Sequence, residues 1–119
     1  MPPLHPKDPR RGRAGRPYRR LWQLVVRPGT SCWICGQPIR WGLRRNHPAG
    51  PSLDHVIPLD LGGDPLHPDN ARPAHHGCNA RRGAALAAAV MRLGRAQVLA
   101  HLRTDPIMTG DPDHHSESW

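Results

Sequence analysis

Apolar positions recur at helical spacing early in the chain, where Leu21, Trp22, Leu24 and Val25 mark one face of a short helix expected over residues 17–26. Arg27-Pro28-Gly29 ends it, because proline lacks the N–H and glycine frees the backbone to turn. Residues 52–59 alternate enough for a strand, and Gly62-Gly63 turns the chain toward a second strand near residues 71–74. From Cys78 or Asn79 to Leu93 the chain is rich in Ala, Leu, Arg and Met, a strong helix-forming mixture despite Gly83. Gly94 is expected to cap this helix, and residues 96–102 to add a turn or two that packs Val98 and Leu99 against the domain. The flanks lack such patterning. Residues 1–16 are expected to be a disordered basic arm and residues 104–119 a disordered tail, with residues 17–103 the one folded domain.

The 119 residues include 15 Pro, 12 Gly and no Phe, little material for a large hydrophobic core. Such a domain needs a staple, and the cysteines suggest which kind. There are 3, an odd number, in a chain with no secretory apolar region, so a reducing cytoplasm is expected rather than a disulfide framework. No apolar run approaches membrane length.

Cys32-x-x-Cys35 and His75-x-x-Cys78 supply four soft or borderline ligands as two short pairs, the spacing of a structural zinc site. Two thiolates in a tight knuckle fit around one tetrahedral ion, and Gly36 gives the knuckle its permissive backbone. The second pair fits the entry to a helix, with His76 the rival ligand to His75. A redox dithiol at Cys32 and Cys35 is the alternative, but it leaves His75 and Cys78 unexplained. Trp33 and Trp41 are expected to shield the thiolates from water. Metal binding contributes folding free energy directly, so the metal-free chain is expected to be largely unfolded. His114 and His115 in the tail are expected to lie in a solvated segment rather than to bind stray metal.

Asp54, His55 and Asn79 remain outside that site and form a second set, with hard oxygen donors for Mg²⁺ or a similar cation and an imidazole for a general base. The formal net charge is +8, from 17 Lys and Arg against 9 Asp and Glu, which implies an anionic partner. Arg10, Arg11, Arg13, Arg16, Arg19 and Arg20 suit a mobile arm for phosphate contacts, or else a solubilising tail. Arg44, Arg45 and His47 lie in a further basic loop over residues 40–51.

The stretch over residues 31–83 resembles an HNH endonuclease of the zinc-binding HNN variety, of the kind found in phages, mobile elements and restriction systems. The residues that carry the likeness are Cys32-Trp33-Ile34-Cys35-Gly36, Asp54-His55-Val56-Ile57-Pro58-Leu59, Gly62-Gly63, Asn70, and the run from His75 through Cys78-Asn79 to Arg82-Gly83. Two departures stand out: His75 takes a place usually held by Cys, and the motif ends in Asn79 rather than His. Both residues can ligate, imidazole to zinc and an amide oxygen to a hard cation.

The resemblance implies a small α+β fold, a ββα-metal (treble-clef-like) zinc-stabilised domain with flanking helices. It implies hydrolysis of DNA phosphodiester bonds, by nicking or double-strand cleavage, with a structural Zn²⁺ and a catalytic Mg²⁺, Mn²⁺ or other divalent cation. His55 would be the general base, Asp54 and Asn79 would hold the cation, Asn70 would brace the loop and orient the base, and Arg82 would reach a phosphate. A phage packaging or other DNA-processing complex is the setting such proteins suggest, in the cytoplasm or a host's cytoplasm. A zinc-stabilised DNA-binding module or an adaptor without cleavage activity would share the charge and the Cys₃His set.

Overall fold

A computed structural model describes residues 15–107. The sequence folds as a small α+β unit with a two-stranded antiparallel sheet, β1 (Pro51–His55) and β2 (Ala71–His75), and three helices, α1 (Gly15–Val25), α2 (His76–Leu93) and α3 (Arg95–Thr104). Pro51 pairs with His75 at one end of the sheet and His55 with Ala71 at the other. Among the described residues no helix is long and apolar enough to cross a membrane.

Strand β1 stops at His55, short of the expected residues 52–59. Asn70 is the reason: its Oδ1 accepts from the Ile57 N–H at 2.7 Å and its amide nitrogen donates to the carbonyls of Ile57 and Asp64 at 3.1 and 3.0 Å. The groups that would extend the ladder are thereby taken up, and Pro58, with no N–H to offer, leads into a short 3-10 turn, Leu59–Leu61. Gly62 closes that turn at φ 90°, and a Cβ on Gly63 would lie 1.8 Å from the Ile57 carbonyl oxygen. Only glycine fits where this loop doubles back.

Helix α2 begins earlier than its composition suggests, at His76. The carbonyls of Gly50 and Pro48 accept the His76 and Gly77 N–H groups at 2.9 and 3.0 Å, satisfying donors that a helix start leaves open. Its buried residues, Cys78, Arg82, Leu86 and Ala89, form one stripe facing the body. Gly94 ends it at φ 87° and opens α3, whose Val98 and Leu102 are buried.

Three small apolar groups share the interior. Leu61, Leu86, Ala89, Val98 and Leu102 join α2 to α3; Leu21, Val26, Leu53 and Ala71 seat α1 on the sheet. The third consists of Cys32, Ile39, Ala74 and Cys78, so two of the expected metal ligands make up half of one core.

The termini differ from expectation where they are described. Gly15 and Arg16, assigned to the arm, are in α1; Pro106, assigned to the tail, returns to the body and accepts from Arg82 Nη2 at 2.7 Å. The rest of the arm, with Arg10, Arg11 and Arg13, and the tail from residue 108, with His114 and His115, lie outside the described residues.

Candidate metal centre and adjoining polar cavity

The knuckle is built by backbone hydrogen bonds. Gly36 N–H donates to the Cys32 carbonyl at 2.8 Å and Cys32 N–H to the Gln37 carbonyl at 2.9 Å, with Gly36 at φ 78°. Trp33 N–H donates to the Pro73 carbonyl at 2.9 Å and ties the knuckle to β2, which carries His75 as its last residue. Cys78 follows on the first turn of α2.

These elements bring one ligand atom each from Cys32, Cys35, His75 and Cys78 within 4.8 Å of one another. His75 Nδ1 stands 3.2 Å from Cys35 Sγ and 3.7 Å from Cys78 Sγ. Sulfur and nitrogen on one tetrahedral zinc ion stand about 3.5 Å apart, so the donors present fit that ion. The other ring nitrogen, Nε2, lies 3.0 Å from the Pro38 carbonyl. That bond requires the proton on Nε2 in the neutral ring and leaves the Nδ1 lone pair for a metal. His76, the rival ligand, is not in the cluster; its N–H caps α2. Cys32, Cys35, His75 and Cys78 are therefore a set that could hold a structural zinc.

Without a cation, burial and the neighbouring Cys32 and Cys35 sulfurs push the Cys78 thiol up to about 12. Cys35 is also raised, first by burial. Arg81 Nη2 lies 3.8 Å from Cys78 Sγ, a cationic donor beside the sulfur cluster. Of the two expected shields, Trp33 packs on the cysteines, but Trp41 does not. Trp41 stands edge-to-face with Trp22 of α1, centroids 6.1 Å apart, and is 40% exposed.

Asp54, His55, Asn79 and Arg82 border one cavity of about 210 Å³, which Leu53 and Leu86 also line. Asp54 and His55 both border it, although successive strand residues point to opposite faces. His55 is buried, and its Nε2 lies 3.0 Å from the Pro65 carbonyl. The neutral ring thus carries its proton on Nε2 and its basic lone pair on Nδ1. Asn79 Nδ2 donates to Ser52 Oγ at 2.7 Å and to the Leu53 carbonyl at 3.2 Å, so Oδ1 is the amide atom left for another partner.

Arg82 differs most from expectation. Its side chain is 2% exposed and directed inward rather than toward a phosphate. Nη1 lies 3.3 Å from Asp54 Oδ2 and donates to the His55 carbonyl at 3.1 Å; Nη2 donates to the carbonyls of Val56 and Pro106 at 2.8 and 2.7 Å. The guanidinium also lies 4.8 Å from the Trp33 ring centroid. Asp54 Oδ2 accepts a second bond from Trp33 Nε1 at 2.9 Å, whereas Oδ1 has only a 3.5 Å approach from Arg82. Burial raises the Asp54 carboxyl above its ordinary range, opposed by Arg82 and the Trp33 hydrogen bond. Burial likewise lowers Arg82, opposed by Asp54.

Asn70 lies apart from the cavity lining and holds the loop that carries Pro65, the carbonyl partner of His55. The sequence did not signal the roles of Pro38, Pro65 and Ser52, since backbone carbonyls and a lone hydroxyl leave no pattern. The inward turn of Arg82 was signalled: it lies four residues from both Cys78 and Leu86, in the middle of the buried stripe.

Fold and cluster define a small α+β domain with a Cys₃His set able to hold zinc and a polar cavity beside it. Neither a protein-family model, nor a curated protein, nor a solved structure matches the chain.

Proposed function

We propose that this chain is a metal-dependent HNH endonuclease, a ββα-metal nuclease on a zinc-held scaffold, which hydrolyses DNA phosphodiester bonds. The observation that carries this reading is the cavity in which His55 meets Asp54 and Asn79, with the imidazole fixed through Nε2 by the Pro65 carbonyl. The order β1, β2, α2 and the zinc-ready cluster at the sheet–helix junction support it. The net charge of +8 suits a polyanionic substrate.

In this reading His55 Nδ1 takes a proton from the attacking water, while the hydrogen bond from Nε2 to Pro65 stabilises the imidazolium that forms. Asp54 Oδ1 and Asn79 Oδ1 would hold a divalent cation, Mg²⁺ or Mn²⁺, which when bound supplies positive charge for the phosphorane and the leaving 3′ oxygen. Arg82 acts through Asp54: it clamps the carboxylate and the β1 backbone instead of touching substrate. Asn70 braces the loop and, through it, the base.

The test is incubation of supercoiled plasmid with the zinc-loaded protein and Mg²⁺ or Mn²⁺, alongside His55→Ala. Metal-dependent nicking that disappears in the variant, at unchanged zinc content, is the expected result; nicking at the wild-type rate by the variant would refute the assignment. A second reading is favoured by one observation: the Asp54 carboxylate is already occupied by Arg82 and Trp33. A DNA-binding module without cleavage would need nothing more, and retention of DNA with no nicking under any divalent cation would select it.

A further inference from the structure

A second hollow, about 520 Å³, lies between α1 and the loop over residues 40–50, within the range of roughly 300–1,000 Å³ typical of small-molecule sites. Tyr18, Trp22, Trp41, Arg44, Arg45 and His76 are among its lining residues, and no Asp or Glu is. Arg44 and Arg45 are exposed, as are Arg16, Arg19 and Arg20 of α1.

The loop is built to hold its shape. Arg40 N–H donates to the Ala49 carbonyl at 3.1 Å, His47 N–H to the Arg44 carbonyl at 3.1 Å, and Ala49 N–H to His47 Nδ1 at 3.0 Å. Asn46 adopts φ 63°, a left-handed conformation that reverses the chain beside the two arginines. The docking of Pro48 and Gly50 on the start of α2 fixes the loop to the metal-bearing helix. Trp22 sets the Trp41 indole at an interplanar angle of 88° while 40% of Trp41 stays accessible. An exposed indole held in place beside exposed guanidinium groups offers a stacking surface and phosphate partners together.

We propose that this groove binds an unpaired stretch of nucleic acid, with a base stacked on Trp41 and the backbone phosphates on Arg44 and Arg45. This deepens the nuclease reading, on which it rests for its polyanionic partner, by making the substrate a single-stranded or locally unpaired site. The groove adjoins the polar cavity: Leu53 borders both, and Ser52 at the groove accepts from Asn79 of the cavity. A strand seated on Trp41 therefore lies next to His55 and Asn79.

The experiment measures binding of the full zinc-loaded chain to a fluorescein-labelled oligothymidylate and to its duplex with oligodeoxyadenylate, by anisotropy without Mg²⁺ or Mn²⁺. The single strand is expected to bind more tightly than the duplex. Trp41→Ala should weaken single-strand binding by about ten-fold and Trp41→Phe much less, as loss of one stacked base implies. Arg44→Ala and Arg45→Ala, both at exposed positions, should each reduce the slope of log affinity against log salt by about 0.7. Zinc content reports whether Trp41→Ala still folds; if it does not, the arginine variants decide.

Equal affinity for both probes, or arginine variants with the wild-type salt slope, would overturn the groove. Plasmid nicking with no single-strand preference would sink the groove alone. Single-strand binding sensitive to Trp41 and the arginines, without nicking, would sink the cleavage reading alone.

Discussion

The two polar clusters, Cys32/Cys35/His75/Cys78 and Asp54/His55/Asn79/Arg82, are joined by Trp33, which packs on the cysteines and donates to Asp54, and are built on opposite principles. In the first, the donor atoms converge on one another and their protein partners stand behind them, as Pro38 does behind His75. In the second, several side chains already satisfy each other: Arg82 and Trp33 occupy Asp54, and Ser52 and Leu53 occupy the Asn79 amide nitrogen. The first cluster presents four donors that could share one cation, with burial and the neighbouring sulfurs pushing the Cys78 thiol up to about 12. The second is held together by protein atoms, and the proposed chemistry would use what they leave: His55 Nδ1, Asp54 Oδ1 and Asn79 Oδ1.

The largest expected effect breaks the first cluster. Chelation of the metal, or Cys78→Ser, should remove on the order of 10 kcal/mol of folding free energy, more than three thin cores can replace. Circular dichroism should show loss of α2 and the sheet, while a cooperative folded spectrum after chelation would count against the clamp.

Arg82→Ala should cost about 3–5 kcal/mol, because it leaves the buried Asp54 without its countercharge and three carbonyls without their donor. Urea denaturation of the zinc-loaded variant measures this, and a change under about 1 kcal/mol would mean the ion pair is not formed as described. Asn70→Ala should cost about 2–3 kcal/mol through the lost bonds to Ile57 and Asp64. If that loop also sets His55, nicking should fall more than stability does.

A further effect is on pH. A thiol raised to about 12 in the metal-free site must release its proton to bind zinc, so protons compete with the metal and the holo fold weakens as pH falls. Competition titrations should give a zinc affinity that rises with pH by about ten-fold per unit for each thiol deprotonated. An affinity flat across neutral pH would argue against thiolate ligands.

Much of the frame was legible because it depends on spacing and local chemistry. The two ligand pairs, the Gly62-Gly63 reversal, the strand near residues 71–74 and the Gly94 stop each rest on residues within a few positions of one another. What was not legible depends on partners distant in sequence. Strand β1 ends at His55 because the Asn70 side chain, from far along the chain, takes the Ile57 peptide groups. Trp41 resembles Trp33 in sequence, yet α1 supplies Trp22 and draws it away from the sulfurs. Arg82 was expected at a phosphate from the family resemblance, whereas its interval to Cys78 and Leu86 fixes its direction. Spacing brings residues together, and burial decides what their side chains then do.

The most direct test of the central claim is X-ray absorption at the zinc edge on the purified chain. One zinc per chain is expected, with three sulfurs at about 2.3 Å and one nitrogen at about 2.0 Å. A folded chain that carries no zinc, or a zinc shell of oxygen and nitrogen without the three sulfurs, would contradict it.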